Sequence, residues 1–388
     1  MSSNDCWMMM DRKPKHIMVL AGEPSGDLHG ANLVREIRKK DASIRVTGIG
    51  GDRMSVAGMD LFYHIDQLSV MGITEVVGRI RIIKKVFDDF KDRVKTTSPD
   101  LLILIDYPGF NLRAAAFAKR YAIPVLYYIT PKVWAWKPSR IKKIKRYVDH
   151  AALIFPFETR LFQTEKIPST FVGHPLLDCY GDQIPDRKTK KKKDQPFTLG
   201  ILPGSRESEI AALLEPMLEA ALVMAEKKGG MTILVSQAGS VNEERFRAVV
   251  ARHNRTGCFT IVKGDVLPIF QAADFLVAAS GTVTLEAAIF QIPMVIVYRM
   301  SAMSYFLARI FVKLDHVGLA NIIANEEVIP ELLQERATPE IIARTSLDLM
   351  NSCRLASMEK KLLMVKTLLG GGGASRRTAA IALGMLRG

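Results

Sequence analysis

Cysteine is scarce in this chain: four residues in 388, all far apart. Cys6, Cys179, Cys258 and Cys353 form no CxxC pair and have no histidine nearby at ligand spacing. That argues against a disulfide framework and against a zinc or other metal site, and reduced cytosolic thiols are expected. No run of about 18 apolar residues occurs, so no spanning helix is expected. The opening MSSNDCWMMMDRKPKH has an early Asp and lacks the apolar stretch of about 7–15 residues of a signal peptide. The dinucleotide fingerprint GxGxxG and the Walker loop GxxxxGK[ST] are both missing. So is any Asp-x-Asp pair, which enzymes that neutralise a diphosphate leaving group through a metal usually need. No internal repeat and no RRM, KH or helix-turn-helix pattern is visible, which counts against a nucleic-acid-binding module.

What remains is an ordinary globular composition, 48% hydrophobic and 24% charged. The chain is too long for one core and suggests two domains. Its net charge of +14 points to an anionic partner: nucleic acid, a phosphorylated ligand or an anionic membrane surface. Short apolar runs alternate with helical patterns. Candidate strands are Ile17–Leu20, Ile44–Gly48, Leu101–Ile105, Val125–Ile129, Ala151–Phe155 and Thr170–Val172 in the first half. The second half offers Phe197–Leu202, Met231–Val235, Thr260–Val262, Phe275–Ala278 and Val295–Tyr298. Runs this uniformly apolar are buried on both faces, which implies parallel sheets covered by helices and two doubly wound α/β domains. Between the halves, DRKTKKKKDQP holds six basic residues from Arg187 to Lys193. It reads as a solvated loop, either a linker or an anion-surface contact. The expected division is residues 1–185, then 195–365. Residues 366–388 follow as a C-terminal helix after the Gly370–Gly373 break, packing on the N-terminal domain or on a partner chain.

In open α/β sheets ligands bind beyond the carboxyl ends of strands. The first strand is followed by AGEPSGDLHG, whose Glu23, Ser25, Gly26, Asp27 and His29 are candidates for ligand contact. Ser25 or Asp27 is also a candidate cap for a helix starting near Leu28. GIGGDRM, from Gly48, resembles either a backbone nest or a tight turn. Asp106 directly follows five apolar residues and suits a general base, with Asn111 better placed as helix cap. Trp134 and Trp136 precede a basic helix from Arg140 to Arg146 and suit bases, a sugar face or a lipid interface. His174 follows another strand. In the second half, Gly204, Ser205 and Arg206 lead into a helix and make an anion site. Ser280, Gly281 and Thr282 repeat the arrangement. Glu286, one turn on, is placed either to accept a ribose or simply to favour the helix dipole.

These blocks, with LSVMGITEVV, FVGHPLLD, LPGSRESEI and LANIIANEEVIPELLQ, resemble the lipid-A-disaccharide synthase family (glycosyltransferase family 19) from about His16 to Gln334. The resemblance implies a GT-B fold, two Rossmann-like domains facing a cleft. It also implies inverting, metal-independent transfer without a cofactor. The donor would be UDP-2,3-diacylglucosamine, the acceptor 2,3-diacylglucosamine 1-phosphate, and the products a β-1,6 disaccharide 1-phosphate and UDP. By position, Arg206 would contact the diphosphate, Glu286 the ribose, and Asn321 would line the cleft. Asp106 matches the first acid of the family's I-D-x-P-D-F-N, whereas the second is Gly109 here. Asp106 is therefore the foremost base, with Glu23, Asp27 and His29 as rivals.

The acyl chains need an apolar surface. Val70, Ile73, Val76, Val77, Ile80, Ile83 and Val86 recur at helical spacing among Arg79, Arg81, Lys84 and Lys85. That stretch either packs on the sheet or meets anionic lipid, and 298–314 is a second candidate. The resemblance places the chain in the cytoplasm, peripheral on the inner membrane of a Gram-negative bacterium. Some members form intertwined dimers, so monomer and homodimer both stay open. The alternatives of the same fold are the peptidoglycan lipid-linked transferase and the UDP-GlcNAc 2-epimerase.

Overall fold

The computed structural model describes residues 14–68, 76–134, 139–184, 196–254, 257–299 and 316–387, without the side chains of 68, 76–80 and 352. The chain forms two compact units, one made of residues up to Cys179 together with Gly370–Gly388, the other Tyr180–Leu369. No described helix is long and apolar enough to cross a membrane.

The first unit carries seven parallel strands in the order β3-β2-β1-β4-β5-β6-β7. They are β1 (His16–Ala21), β2 (Arg45–Gly50), β3 (Asp60–His64), β4 (Leu101–Ile105), β5 (Val125–Tyr128), β6 (His150–Leu153) and β7 (Ser169–Phe171). The helices between them are α1 (Pro24–Lys40), α2 (Asp52–Val56), α3 (Val76–Thr97), α4 (Pro108–Ala118), α5 (Arg140–Tyr147) and α6 (Glu158–Thr164). The short α7 (Leu176–Tyr180) leads out of this unit. Every residue of β4 is wholly buried, as a central strand covered on both faces must be. Each such Leu or Ile contributes roughly 1.5–3 kcal/mol by leaving water.

The second unit repeats the plan with six strands ordered β10-β9-β8-β11-β12-β13. These are β8 (Phe197–Leu202), β9 (Met231–Gln237), β10 (Phe259–Lys263), β11 (Phe275–Ala279), β12 (Met294–Tyr298) and β13 (Glu331–Leu333). Its helices are α8 (Glu207–Lys228), α9 (Glu243–His253), α10 (Leu267–Ala272), α11 (Thr282–Ile289), α12 (Leu319–Ala324), α13 (Pro339–Leu349) and α14 (Ser352–Leu368). After the glycines, α15 (Ala374–Met385) rejoins the first unit. There Asp178 accepts the amides of Gly373, Ala374 (3.2 Å) and Ser375 (2.8 Å) and so caps this last helix.

The eleven apolar runs all appear as strands, with ends moved by a residue or two. Two strands lacked such a run. Both β3 and β13 are sheet edges, only partly buried, so neither needs continuous apolar sequence. In α3, Val86, Phe90 and Val94 are buried against the first sheet, while Arg81, Lys84 and Lys85 are exposed. The side chains of Val70, Ile73, Val76, Val77, Arg79 and Ile80 lie outside the described residues, as do the basic loop 187–193 and residues 300–314.

Candidate active site

In a doubly wound sheet the crevice opens where strand order reverses. In the first unit that point lies between β1 and β4, paired up to Ala21 and Ile105. The next residues are Gly22 and Asp106. In the second unit it lies between β8 and β11, paired up to Leu202 and Ala278. Gly204–Arg206 and Ser280–Thr282 follow there. Gly22 and Asp106, and Gly204–Arg206 with Ser280–Thr282, thus lie at their own unit's switch point, whereas Asn321 lies in α12, between β12 and β13.

Asp106 sits on a strained turn. Asp106 and Tyr107 both have φ of 46°, the left-handed region that costs a non-glycine residue about 1–3 kcal/mol. Two donors hold the turn. The Tyr127 hydroxyl gives a hydrogen bond to the Asp106 carbonyl at 2.8 Å, and Asn111 Nδ2 gives another at 2.7 Å. Asn111 also reaches the carbonyls of Ile105 and Leu20, tying together the ends of β4 and β1. It is therefore no helix cap, contrary to the sequence expectation: it lies buried inside α4, and Tyr107 occupies the cap position. The Asp106 carboxyl is pushed above its ordinary range, first by burial and then by the Glu23 charge, while Lys132 and Arg140 pull it down. Glu23 itself is exposed.

Helix α1 begins at Pro24, earlier than its sequence suggests, so neither Ser25 nor Asp27 caps it. Asp27 caps α2 instead. Its carboxylate accepts the amides of Gly51 (2.7 Å), Met54 (3.0 Å) and Arg53 (3.2 Å) and is 5% exposed. The nest that GIGGDRM suggested does bind an anion, and the anion is this side chain. Gly26 packs against Ala21, where a Cβ would lie 3.2 Å from the Ala21 Cβ. Ser25 is exposed. His29 points into the packed interior, 3.8 Å from the Cys179 sulfur, and burial lowers its pKa to about 4. Burial lowers His174 to about 3, helped by His29 and Lys132. The Trp134 indole N–H is spent on buried Glu158 at 3.1 Å, and its ring meets Phe157 edge to face. Trp136 lies outside the described residues.

Gly22 is covered by the Tyr107 ring, which a Cβ there would approach to 2.3 Å. Gly22→Ala should therefore push Tyr107 and the strained turn out of place. The expected cost is about 1–3 kcal/mol of stability with a loss of turnover, read by thermal melting and steady-state kinetics.

In the second unit Arg206 occupies the N-cap of α8 with its side chain 78% exposed. The helix entry is already occupied. Glu209 Oε2 accepts the amides of Ser205 (2.9 Å) and Arg206 (3.3 Å), and Oε1 accepts Arg206 Nη1 at 2.7 Å. Gly204 has a φ of +115° and leaves no room for a Cβ beside Glu209. The start of α11 differs: Gly281 and Thr282 are exposed, and no side chain caps it. Its first amides are the donors that a helix leaves unpaired. Ser280 is half-buried beside them. Glu286 is anchored by the Tyr180 hydroxyl at 3.0 Å, and burial raises its pKa. Tyr180, Tyr127 and Glu209 escaped the sequence reading; only Glu209, three residues after an N-cap, carried a signal, the capping-box spacing.

Asn321 is wholly buried. Nδ2 donates to the Ile329 carbonyl (2.7 Å) and to Glu331 (2.8 Å), while Oδ1 accepts the amides of Val328 and Ile329. It braces the 326–331 segment, and through Glu331 the amides of Val317 and Gly318.

Two doubly wound units with the candidate loops at their switch points define the class: a GT-B-type glycosyltransferase architecture. Solved structures agree on the fold. A putative UDP-N-acetylglucosamine 2-epimerase from Listeria monocytogenes matches with a TM-score of 0.68 at 11% identity, covering 97% of each chain. Acinetobacter baumannii MurG matches with a TM-score of 0.58 at 15% identity, covering 96% of this chain and 100% of that one. The lipid-A-disaccharide synthetase family model matches residues 17–382. A lipid-A-disaccharide synthase from Trichlorobacter lovleyi is 38% identical over 385 residues, covering 96% of this chain and 98% of the relative. The chain belongs to the lipid-A-disaccharide synthase family.

Proposed function

We propose that the chain joins UDP-2,3-diacylglucosamine to 2,3-diacylglucosamine 1-phosphate through a β-1,6 bond, with inversion and release of UDP. A free 6-hydroxyl is a poor nucleophile, so a base must take its proton as the oxygen attacks the anomeric carbon. Asp106 takes that role. What most supports it is the strained turn that holds Asp106 at the carboxyl end of a fully buried strand. As the new C–O bond forms, the bond to UDP breaks and its electron pair goes to the diphosphate. Arg206 and the open start of α11 stabilise that charge. Glu286, steadied by Tyr180, takes the ribose hydroxyls. Asp27, His29 and Asn321 act as positioning residues, because the polar groups of each face inward. Lys132 and Arg140, whose charges reach Asp106, suit the acceptor's 1-phosphate.

The basic face of α5 supports peripheral contact with an anionic leaflet on the cytoplasmic side. Lys142, Lys143, Lys145 and Arg146 are exposed there, while Ile141 and Ile144 are buried. Each such charge contributes about 1 kcal/mol near anionic lipid.

The test is incubation with both substrates in EDTA. A disaccharide 1-phosphate and stoichiometric UDP are expected, and no product would sink the reading. UDP-GlcNAc alone should return unchanged, whereas its epimerisation would favour the 2-epimerase alternative.

A further inference from the structure

We infer that Glu209 is the internal counter-anion of the donor site, from which Arg206 swings to the diphosphate when nucleotide binds. This rests on the reading that Arg206 contacts the diphosphate. Both units place a carboxylate of their own on the backbone amides behind a strand, but the two are not equivalent. Asp27 is buried, and the contacts it makes there are to three amides, so it is fixed. Glu209 divides its oxygens. Oε2 is tethered to the amides of Ser205 and Arg206, and Oε1 holds the guanidinium by a single bond. Glu209 is 13% exposed and Arg206 78%, so the guanidinium is the partner free to move.

The tether is itself braced. Ser240 donates its hydroxyl proton to the Ser205 carbonyl at 2.7 Å, and the Asn242 amide donates to Glu207 at 2.6 Å. The turn therefore keeps Glu209 in place while Arg206 changes partner. A diphosphate and a carboxylate around one guanidinium repel each other. An exposed ion pair of this kind contributes little, so exchange is easy. The arrangement keeps Arg206 near its working position when the site is empty. It also weakens the hold on UDP, which helps the product leave.

Glu209→Gln keeps an oxygen for the amides and removes the charge. It should bind UDP about tenfold more tightly and leave uridine affinity unchanged, by isothermal titration at low salt. Arg206→Ala should weaken UDP about 100-fold. If Arg206→Ala weakens UDP while Glu209→Gln leaves it unchanged or weaker, Glu209 has no such role and the donor site stands. If Arg206→Ala binds UDP as well as the parent, the donor-site reading itself is wrong. Should Glu209→Gln melt early, a crystal structure of the unaltered chain with UDP decides. Arg206 bonded to the diphosphate and parted from Glu209 is the expected arrangement, and an intact Arg206–Glu209 pair with UDP bound overturns it.

Discussion

Replacing Asp106 by Asn should lower kcat by about 10²–10⁴ and leave UDP affinity unchanged, the range that a positioned base supplies. Asn keeps the size and leaves the Asp106 carbonyl free to accept from Tyr127 and Asn111, so the turn should hold. The effect then isolates the proton transfer. A second, finer signature follows from the environment of the carboxyl. Burial raises its pKa and the Glu23 charge raises it further, and a base works only when ionised. The acid limb of kcat/KM should therefore lie above the ordinary carboxylate range. Glu23→Gln removes one raising influence and should move that limb to lower pH. A limb that stays put in Glu23→Gln, together with full activity in Asp106→Asn, would transfer the role to another group.

How much of this was legible follows from what each signal depends on. Central strands such as β4 are written in consecutive apolar residues, because both faces are covered. Edge strands β3 and β13 are not, because the sheet does not demand it. The loops were legible as loops, and Asp106, Arg206 and Ser280–Thr282 were legible from their places just beyond the carboxyl ends of apolar runs. Which oxygen meets which amide was not legible. Asp27 reads in the sequence as a cap for its own helix or a ligand contact, and only three-dimensional placement reveals that backbone donors 24–27 residues away have taken it, whereas the capping-box spacing of Glu209 does foreshadow its local amide partners. Likewise Asn111 reads as a cap because caps are made by Asn. Its partners are the carbonyls of Asp106 and Ile105 and, 91 residues away, that of Leu20, a pairing that no local pattern encodes.

The first unit should also lose stability on mild acidification, through its buried histidines. Burial lowers His29 to about 4 and His174 to about 3, against 6.5 when unfolded. A lowered histidine stabilises the fold fully above 6.5, and that contribution is lost as pH falls toward the folded value. Each costs about 1.4 kcal/mol per pH unit over that span. Buried Glu158 acts the other way. Its pKa is raised to about 7 from 4.5, so its contribution is complete below 4.5 and lost as pH rises through 7. Between pH 6.5 and 4.5 these two losses oppose this one gain, a net fall of about 3 kcal/mol from the three groups, to which the lowered His150 adds and from which the raised Asp106 subtracts. All three tryptophans, Trp7, Trp134 and Trp136, precede Cys179, so indole fluorescence during urea unfolding reports on this unit alone. His174→Gln should flatten the decline, and Glu158→Gln should steepen it by removing the opposing group. Equal slopes in the parent chain and in both variants would show that His174 and Glu158 do not titrate on unfolding, and hence that the burial ascribed to them is wrong.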